Sequence, residues 1–334
     1  MEGGLGPMHL DPFELHRPSS VEEVVHLGRE LEGRFDYLAG GTDLLPNYKM
    51  HLNLKPHLVA LEDIDELRGH SLSRLGAMAR LSDLEADPEL SAAYPALRCA
   101  VREVATPLVR ASGTVGGNLL VETRCFFFNQ SYFWRTSLGY CLKADGDRCH
   151  VVPQKEKCYA TFSGDLAPAL MVVDAEVEVA GPEGRRRIPL PELYDLEGDG
   201  IRRTHLRPGE LLVAVHLPTA SRGRPGTYLK LRVRPSYDFP ELGVAAAGVF
   251  EGRRVRSLRL AVGGADPYPR RFDELTEALV GEELSDDRLA AFAAEVQRAV
   301  RPVHNTFLLP DYRRRMITVY VRRALTQLRE GAAA

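Results

Sequence analysis

Four of the five cysteines in this 334-residue chain fall in one stretch, Cys125, Cys141, Cys149 and Cys158, with 15, 7 and 8 residues between neighbours. Cys99 stands apart. Thiolates are preferred ligands for zinc and for iron–sulfur clusters, and four from one segment can complete a tetrahedral S4 site or the corners of a [4Fe-4S] cube. Zinc fingers and ribbons present close CxxC pairs because one tight turn supplies two ligands. Here no two cysteines are nearer than eight positions, which favours a guest larger than one zinc ion. The other readings of the same residues are two disulfides, which need an oxidising compartment, and buried apolar thiols with no chemical role.

The residues between the cysteines have a pattern of their own. Phe126 to Trp134 holds six aromatics in nine positions, and Leu142 to Arg148 then turns polar and charged. An aromatic wall beside a solvated turn would limit water near a cluster and help set its potential, although such aromatics alone read as ordinary core. His150 follows Cys149 and could replace a thiolate, but with four cysteines present it and Arg135 read as bystanders or supporting donors.

Two glycine-rich segments frame the cysteine stretch on its N-terminal side. Gly40, Gly41, Thr42 and Asp43 follow a short apolar strand over 35–39, and Gly113 to Asn118 follows a helix expected over 91–104. Glycines let backbone amides approach an anion closely, and hydroxyl and carboxamide donors stand beside them, so two such loops could share one pyrophosphate. Neither is GxGxxG or a Walker A sequence, and each taken singly reads as a turn.

The elements that must position these residues change character along the chain. Ser20 to Glu23 reads as a capping box that opens a helix lined by Val21, Val24, Val25, Leu27 and Leu31. Beyond Cys158 the period becomes two: Ala175, Val177 and Val179 alternate with Asp174, Glu176 and Glu178 before a turn at 181–184, the signature of an antiparallel strand with one wet face. Residues 211–217 and 227–233 repeat it, and 244–250 with 255–262 reads as a hairpin. Helices over 285–300 and 311–328 close the chain, each with an expected N-cap. The stretch 221–226 divides the chain, giving a first domain over 8–219 with the metal insert at about 122–160, and a second over 222–330. Residues 331–334 read as a frayed tail.

With 44% hydrophobic and 27% charged residues and a net charge of −3, the chain can bury a full core and has no long-range attraction for nucleic acid or anionic lipid. No apolar run reaches membrane-spanning length, and the N-terminus, with Asp11 and Glu14, lacks the apolar segment of a signal peptide. A cytoplasmic protein is expected.

Ala39 to Asp43, Thr114 to Asn118, Gly164 to Pro168, Lys230 with Arg232, and Val262 to Ala265 together resemble the FAD-binding medium subunit of the molybdenum hydroxylase (xanthine dehydrogenase) family, over nearly the whole chain. The cysteine insert resembles the extra [4Fe-4S] loop of the 4-hydroxybenzoyl-CoA reductase beta subunit. The resemblance implies an α+β fold, with a two-subdomain PCMH-type FAD-binding domain followed by a domain of antiparallel strands and helices. It implies that Ala39, Gly40, Gly41, Thr42, Asp43 and Leu44, with Thr114, Val115, Gly116, Gly117 and Asn118, wrap the FAD diphosphate. Asp165 would bind a ribityl or adenosine hydroxyl, and Lys230 and Leu211 would lie by the isoalloxazine. Thr42 and Asp43 stand where some relatives have His-Ser or Asn-Thr. The implied cofactors are FAD and a [4Fe-4S] cluster on Cys125, Cys141, Cys149 and Cys158. The implied partners are a [2Fe-2S] small subunit and a molybdopterin large subunit, with ferredoxin as a candidate donor. The expected role is electron transfer in a 4-hydroxybenzoyl-CoA reductase-like complex. The alternatives are the FAD subunit of an aerobic xanthine, CO or aldehyde dehydrogenase-type enzyme with a structural metal loop, and a metal-stapled assembly subunit without flavin.

Overall fold

The computed structural model describes residues 9–331. Met8, at the expected start of the first domain, and residues 332–334 of the expected tail lie outside them. Three sheets and a set of mostly short helices make an α+β protein. The first sheet is parallel, in the order Glu14–His16, His57–Ala60, Phe35–Leu38. The second is antiparallel, in the order Arg74–Gly76, Leu211–His216, Glu176–Gly181, Gly184–Pro189. Its central strand carries the expected alternation, with Val177 and Val179 buried and Glu176 exposed. The helix Val21–Glu30 opens on Ser20, whose hydroxyl accepts from the Glu23 amide, and its buried stripe covers this region.

The third sheet, Arg270–Arg271, Arg254–Gly263, Leu242–Glu251, Gly226–Leu231, is antiparallel throughout. Strand Leu242–Glu251 reads as one continuous apolar run over 242–248 because both its faces are covered there. Ala245 and Ala247 join the core of the N-terminal part, while Val244 and Ala246 join a second core with the helices Asp286–Ala299 and Pro310–Arg329.

Three local expectations are corrected. The helix expected over 91–104 is two helices, Pro88–Ala93 and Pro95–Glu103, because Pro95 cannot donate a backbone hydrogen bond and restricts Tyr94 before it. The last helix opens on Leu309 with Pro310 in its first turn and no side-chain cap, whereas Ser285 caps the preceding helix as expected. The aromatic wall is broken: Phe128 is buried, but Phe133 is 80% exposed, and Tyr132 and Trp134 also face outward.

Candidate functional site

The first glycine loop leaves the parallel sheet after Phe35–Leu38 and passes against the chain just before the second loop. A Cβ on Gly40 would stand 1.9 Å from the Ser112 carbonyl oxygen, so only glycine permits that approach. Gly41 has φ +69, a conformation that glycine adopts without strain. In the second loop Thr114 caps the helix Val115–Leu119, its hydroxyl accepting from the Gly117 amide at 3.1 Å. Gly116 packs on Ala77, whereas a Cβ on Gly117 would meet only Thr114 Oγ1 at 3.0 Å and Ala39 Cβ at 3.9 Å. The two loops therefore adjoin, and the glycines divide in purpose. Gly40 and Gly116 let segments pack, and Gly117 keeps open the space facing Ala39.

From the second loop the path runs to the Gly164 segment. Asn118 Oδ1 accepts from the Leu166 amide at 2.9 Å, and Gly164 lies so close to the Asn118 carbonyl that a Cβ would fall 2.4 Å from it. Asp165 is buried and accepts from Tyr228 Oη at 2.6 Å and Lys230 Nζ at 2.9 Å. Burial raises its carboxyl pKa against the opposing pull of the Lys230 charge, and burial beside Asp165 raises the Tyr228 phenol well above its ordinary range. Each Asp165 oxygen accepts one of these bonds and keeps a second lone pair. Two residues before it, the buried Ser163 hydroxyl has no partner among the described residues. Lys230 also donates to the Glu103 carbonyl and borders a groove of about 710 Å³ between strand Gly226–Leu231 and the last helix. Leu211 is 2% exposed in the core beneath helix Val21–Glu30, with Val21, Val24 and Ala180.

Beyond Asn118, six residues lead to Cys125. Cys125, Cys141, Cys149 and Cys158 line one pocket, with Phe127, Phe128, Lys143 and His150 among its walls. All four are free, and three are buried. Burial, with the neighbouring Cys158 and Cys141, pushes the Cys125 thiol up to about 12. No three of the sulfurs lie within 4.8 Å of one another. A tetrahedral zinc site with Zn–S bonds near ~2.3 Å needs sulfurs about 3.8 Å apart. His150 Nε2 is engaged with the Tyr140 carbonyl and its ring lies against Phe127. Cys99 lies in helix Pro95–Glu103 beside the main core and does not line the pocket.

Three anchors hold the insert, and the residue pattern alone did not reveal them. Arg124 pairs with Asp43 of the first glycine loop and stacks over Phe239 at 4.3 Å. Arg135, 2% exposed, donates to the carbonyls of Met50, His51 and Gln130. Lys143, expected in a solvated turn, is buried instead, with Nζ 2.5 Å from Glu122 Oε1 and bonded to the Thr123 hydroxyl. Burial lowers the Lys143 pKa. Although burial raises that of Glu122, the Arg203 and Lys143 charges hold it at about 2. A lysine among polar neighbours carries no sequence signal that separates a buried ion pair from a wet turn.

Comparisons with known proteins bear on both halves. Residues 11–220 match the family described as FAD binding domain in molybdopterin dehydrogenase, and residues 227–328 match the CO dehydrogenase flavoprotein C-terminal domain. The chain is 35% identical to the aldehyde oxidoreductase FAD-binding subunit PaoB of Escherichia coli (strain K12), over 92% of this chain and 96% of that protein. It is 28% identical to the carbon monoxide dehydrogenase medium chain of Hydrogenophaga pseudoflava, over 94% and 96%. Among solved structures, the reconstituted CO dehydrogenase from Oligotropha carboxidovorans superposes with a TM-score of 0.78 at 26% identity, covering 98% of this chain and all of that one. No helix among the described residues is long and apolar enough to cross a membrane.

Proposed function

This chain belongs to the FAD-binding medium subunits of the molybdenum hydroxylase family, and from that premise we propose that it is the FAD and [4Fe-4S] subunit of an aldehyde-oxidising molybdenum complex. It is an oxidoreductase subunit that binds FAD. Its proposed partners are a [2Fe-2S] small subunit and a molybdopterin large subunit. FAD supplies one- and two-electron exchange, and a [4Fe-4S] cluster supplies one-electron transfer. This chain's own residues bind, orient and tune. The proposed diphosphate cradle is the pair of adjoining loops, Ala39 to Leu44 and Thr114 to Asn118, with Gly117 leaving room for phosphate. Asp165 would accept a hydroxyl of the cofactor, and the Lys230 charge beside it would favour electron density on a nearby ring.

The observation that carries the reading is the four-thiol pocket six residues beyond the second loop, in which no three sulfurs lie within 4.8 Å of one another. Phe127 and Phe128 would limit water there. The aldehyde class is favoured by the 35% identity to the E. coli aldehyde oxidoreductase subunit. A second reading, a 4-hydroxybenzoyl-CoA reductase-like complex with ferredoxin as donor, is favoured by the cysteine insert itself. Iron and acid-labile sulfide analysis of anaerobically purified chain tests the cluster. About four of each per chain is expected, and one zinc with no sulfide would refute it. Turnover of the assembled complex with aromatic aldehydes, against ferredoxin-driven reduction of an aromatic acyl-CoA, separates the two readings.

A further inference from the structure

We infer that Glu14, His16 and His57 form a divalent-cation site on the edge of the parallel sheet, a site of the two-imidazole, one-carboxylate class that suits Zn²⁺. The strand Glu14–His16 places Glu14 and His16 on the same face, because alternate residues of a strand point the same way. Its parallel register sets Glu14 opposite His57, the first residue of His57–Ala60. Three side chains of ligating type thus converge. His16 Nε2 and His57 Nδ1 are 3.2 Å apart, Glu14 Oε2 is 3.4 Å from His57 Nδ1, and Glu14 Oε1 is 3.8 Å from His16 Nε2. Zinc takes imidazole nitrogen and carboxylate oxygen at about 2.0–2.2 Å, so a tetrahedral site separates its ligands by about 3.3–3.6 Å. The observed separations, 3.2–3.8 Å, bracket that range, and rotation of the exposed Glu14 side chain can bring one oxygen to both nitrogens without moving the backbone.

Charge and access agree with this assignment. Neutral imidazoles and one carboxylate give a cation a net attraction, and the nearby Arg17 is turned away to Glu62 and Asp63 at 2.8 and 2.9 Å. The His16 and His57 side chains are 19% and 17% exposed and Glu14 is 66% exposed, so an ion can enter and keep a water as its fourth ligand. Imidazole with carboxylate favours Zn²⁺, Cu²⁺ or Ni²⁺ over Mg²⁺ or Ca²⁺, which require oxygen ligands. The effect on the protein follows from the strand's size. It is a three-residue edge strand, and an ion shared with His57 would pin it to the sheet. The competing account of the same geometry is a hydrogen-bonded trio that takes no ion.

The test is independent of the flavin and cluster reading. Untagged full-length chain, its His16→Gln and His57→Gln variants, and Glu14→Gln as the most conservative exposed change are dialysed against Zn²⁺ and analysed for metal. All four retain the cysteine pocket, so the difference between them isolates the site. The wild type is expected to bind one equivalent more than each histidine variant, Glu14→Gln to bind at least tenfold more weakly, and Zn²⁺ to raise the melting temperature of the wild type alone by a few degrees. Cu²⁺ added to oxidised protein should give an electron paramagnetic resonance signal with superhyperfine splitting from two nitrogens. Equal zinc content in wild type and variants, or a copper signal unchanged by His57→Gln, would overturn the site and leave the hydrogen-bonded trio. If a histidine variant fails to fold, Glu14→Gln and the copper spectrum of the wild type decide.

Discussion

Replacing Glu122 by glutamine removes the counter-charge of a buried lysine at the junction between the flavin loops and the cysteine pocket. Glu122 lies 2.5 Å from Lys143 Nζ and 3.2 Å from Arg203 Nε. Burial alone would raise its carboxyl pKa, yet the Arg203 and Lys143 charges hold it near 2, down from 4.5. At ~1.4 kcal/mol per tenfold change in proton affinity, that lowering is worth about 3–4 kcal/mol. Breaking a buried ion pair from one side costs about 3–5 kcal/mol, which agrees. Glu122→Gln should therefore lower the melting temperature at pH 7 by about 6–16 °C, at ~2–4 °C per kcal/mol. The sign with pH follows from a folded-state pKa below the unfolded one. The contribution is complete above pH 4.5 and is lost as pH falls toward 2, so the gap between wild type and variant should close over that window. Adding Lys143→Met should recover much of the loss, because an apolar side chain leaves no buried charge unpaired, and Arg203 keeps the Val121 carbonyl as a partner. Calorimetry from pH 7 to pH 3 checks both. A gap under about 1 kcal/mol at pH 7, or one that does not narrow on acidification, would refute the pairing as a stabilising element.

Gly117→Val should fold and lose most of its FAD, since its side chain enters the space between Thr114 and Ala39; purification with full flavin occupancy would contradict the cradle. Gly40→Ala should instead impair folding, because its Cβ meets the Ser112 carbonyl at 1.9 Å, and an unchanged melting temperature would show that the loops do not adjoin. Cys99→Ser should retain the full iron and sulfide content while Cys158→Ser loses it; equal loss in both would remove the distinction between pocket and bystander thiols.

What could be read from residues alone was whatever is carried by local pattern. The period-two strands, the Ser20 and Ser285 caps and the two glycine segments each act within a few positions, and they lie in the structure where the pattern put them. The separate purposes of the glycines were not legible, for the same reason. Gly40 and Gly41 look equivalent in sequence, but one is required by a backbone from another part of the chain and the other by its own φ. The buried Lys143 is likewise decided by partners outside its own turn, Glu122 and Thr123. A polar turn is normally wet and a phenylalanine normally buried, and Lys143 and the outward Phe133 reverse both. The boundary at Pro95 is legible from the residues alone, since a proline within a helical pattern ends the helix before it.

The six residues between Asn118 and Cys125 are held more firmly than a loop of that length requires. The Leu119 carbonyl accepts from Tyr194 Oη, the Val121 carbonyl from Arg203, Glu122 holds Lys143, and Arg124 bridges back to Asp43 in the first loop. Arg124 also pairs its backbone with Thr161, close after Cys158, and Asn305 of the C-terminal part closes on Thr161 through its side chain and on Phe126 through its carbonyl. Each of these contacts is between protein groups. The tether's geometry is therefore set by the fold, and a fixed separation between the two proposed cofactor sites follows from it. Electron transfer depends steeply on distance, so a tether fixed at both ends suits a relay. A staple would need only that its own loop be held, and Arg135 alone already ties that loop to Met50 and His51.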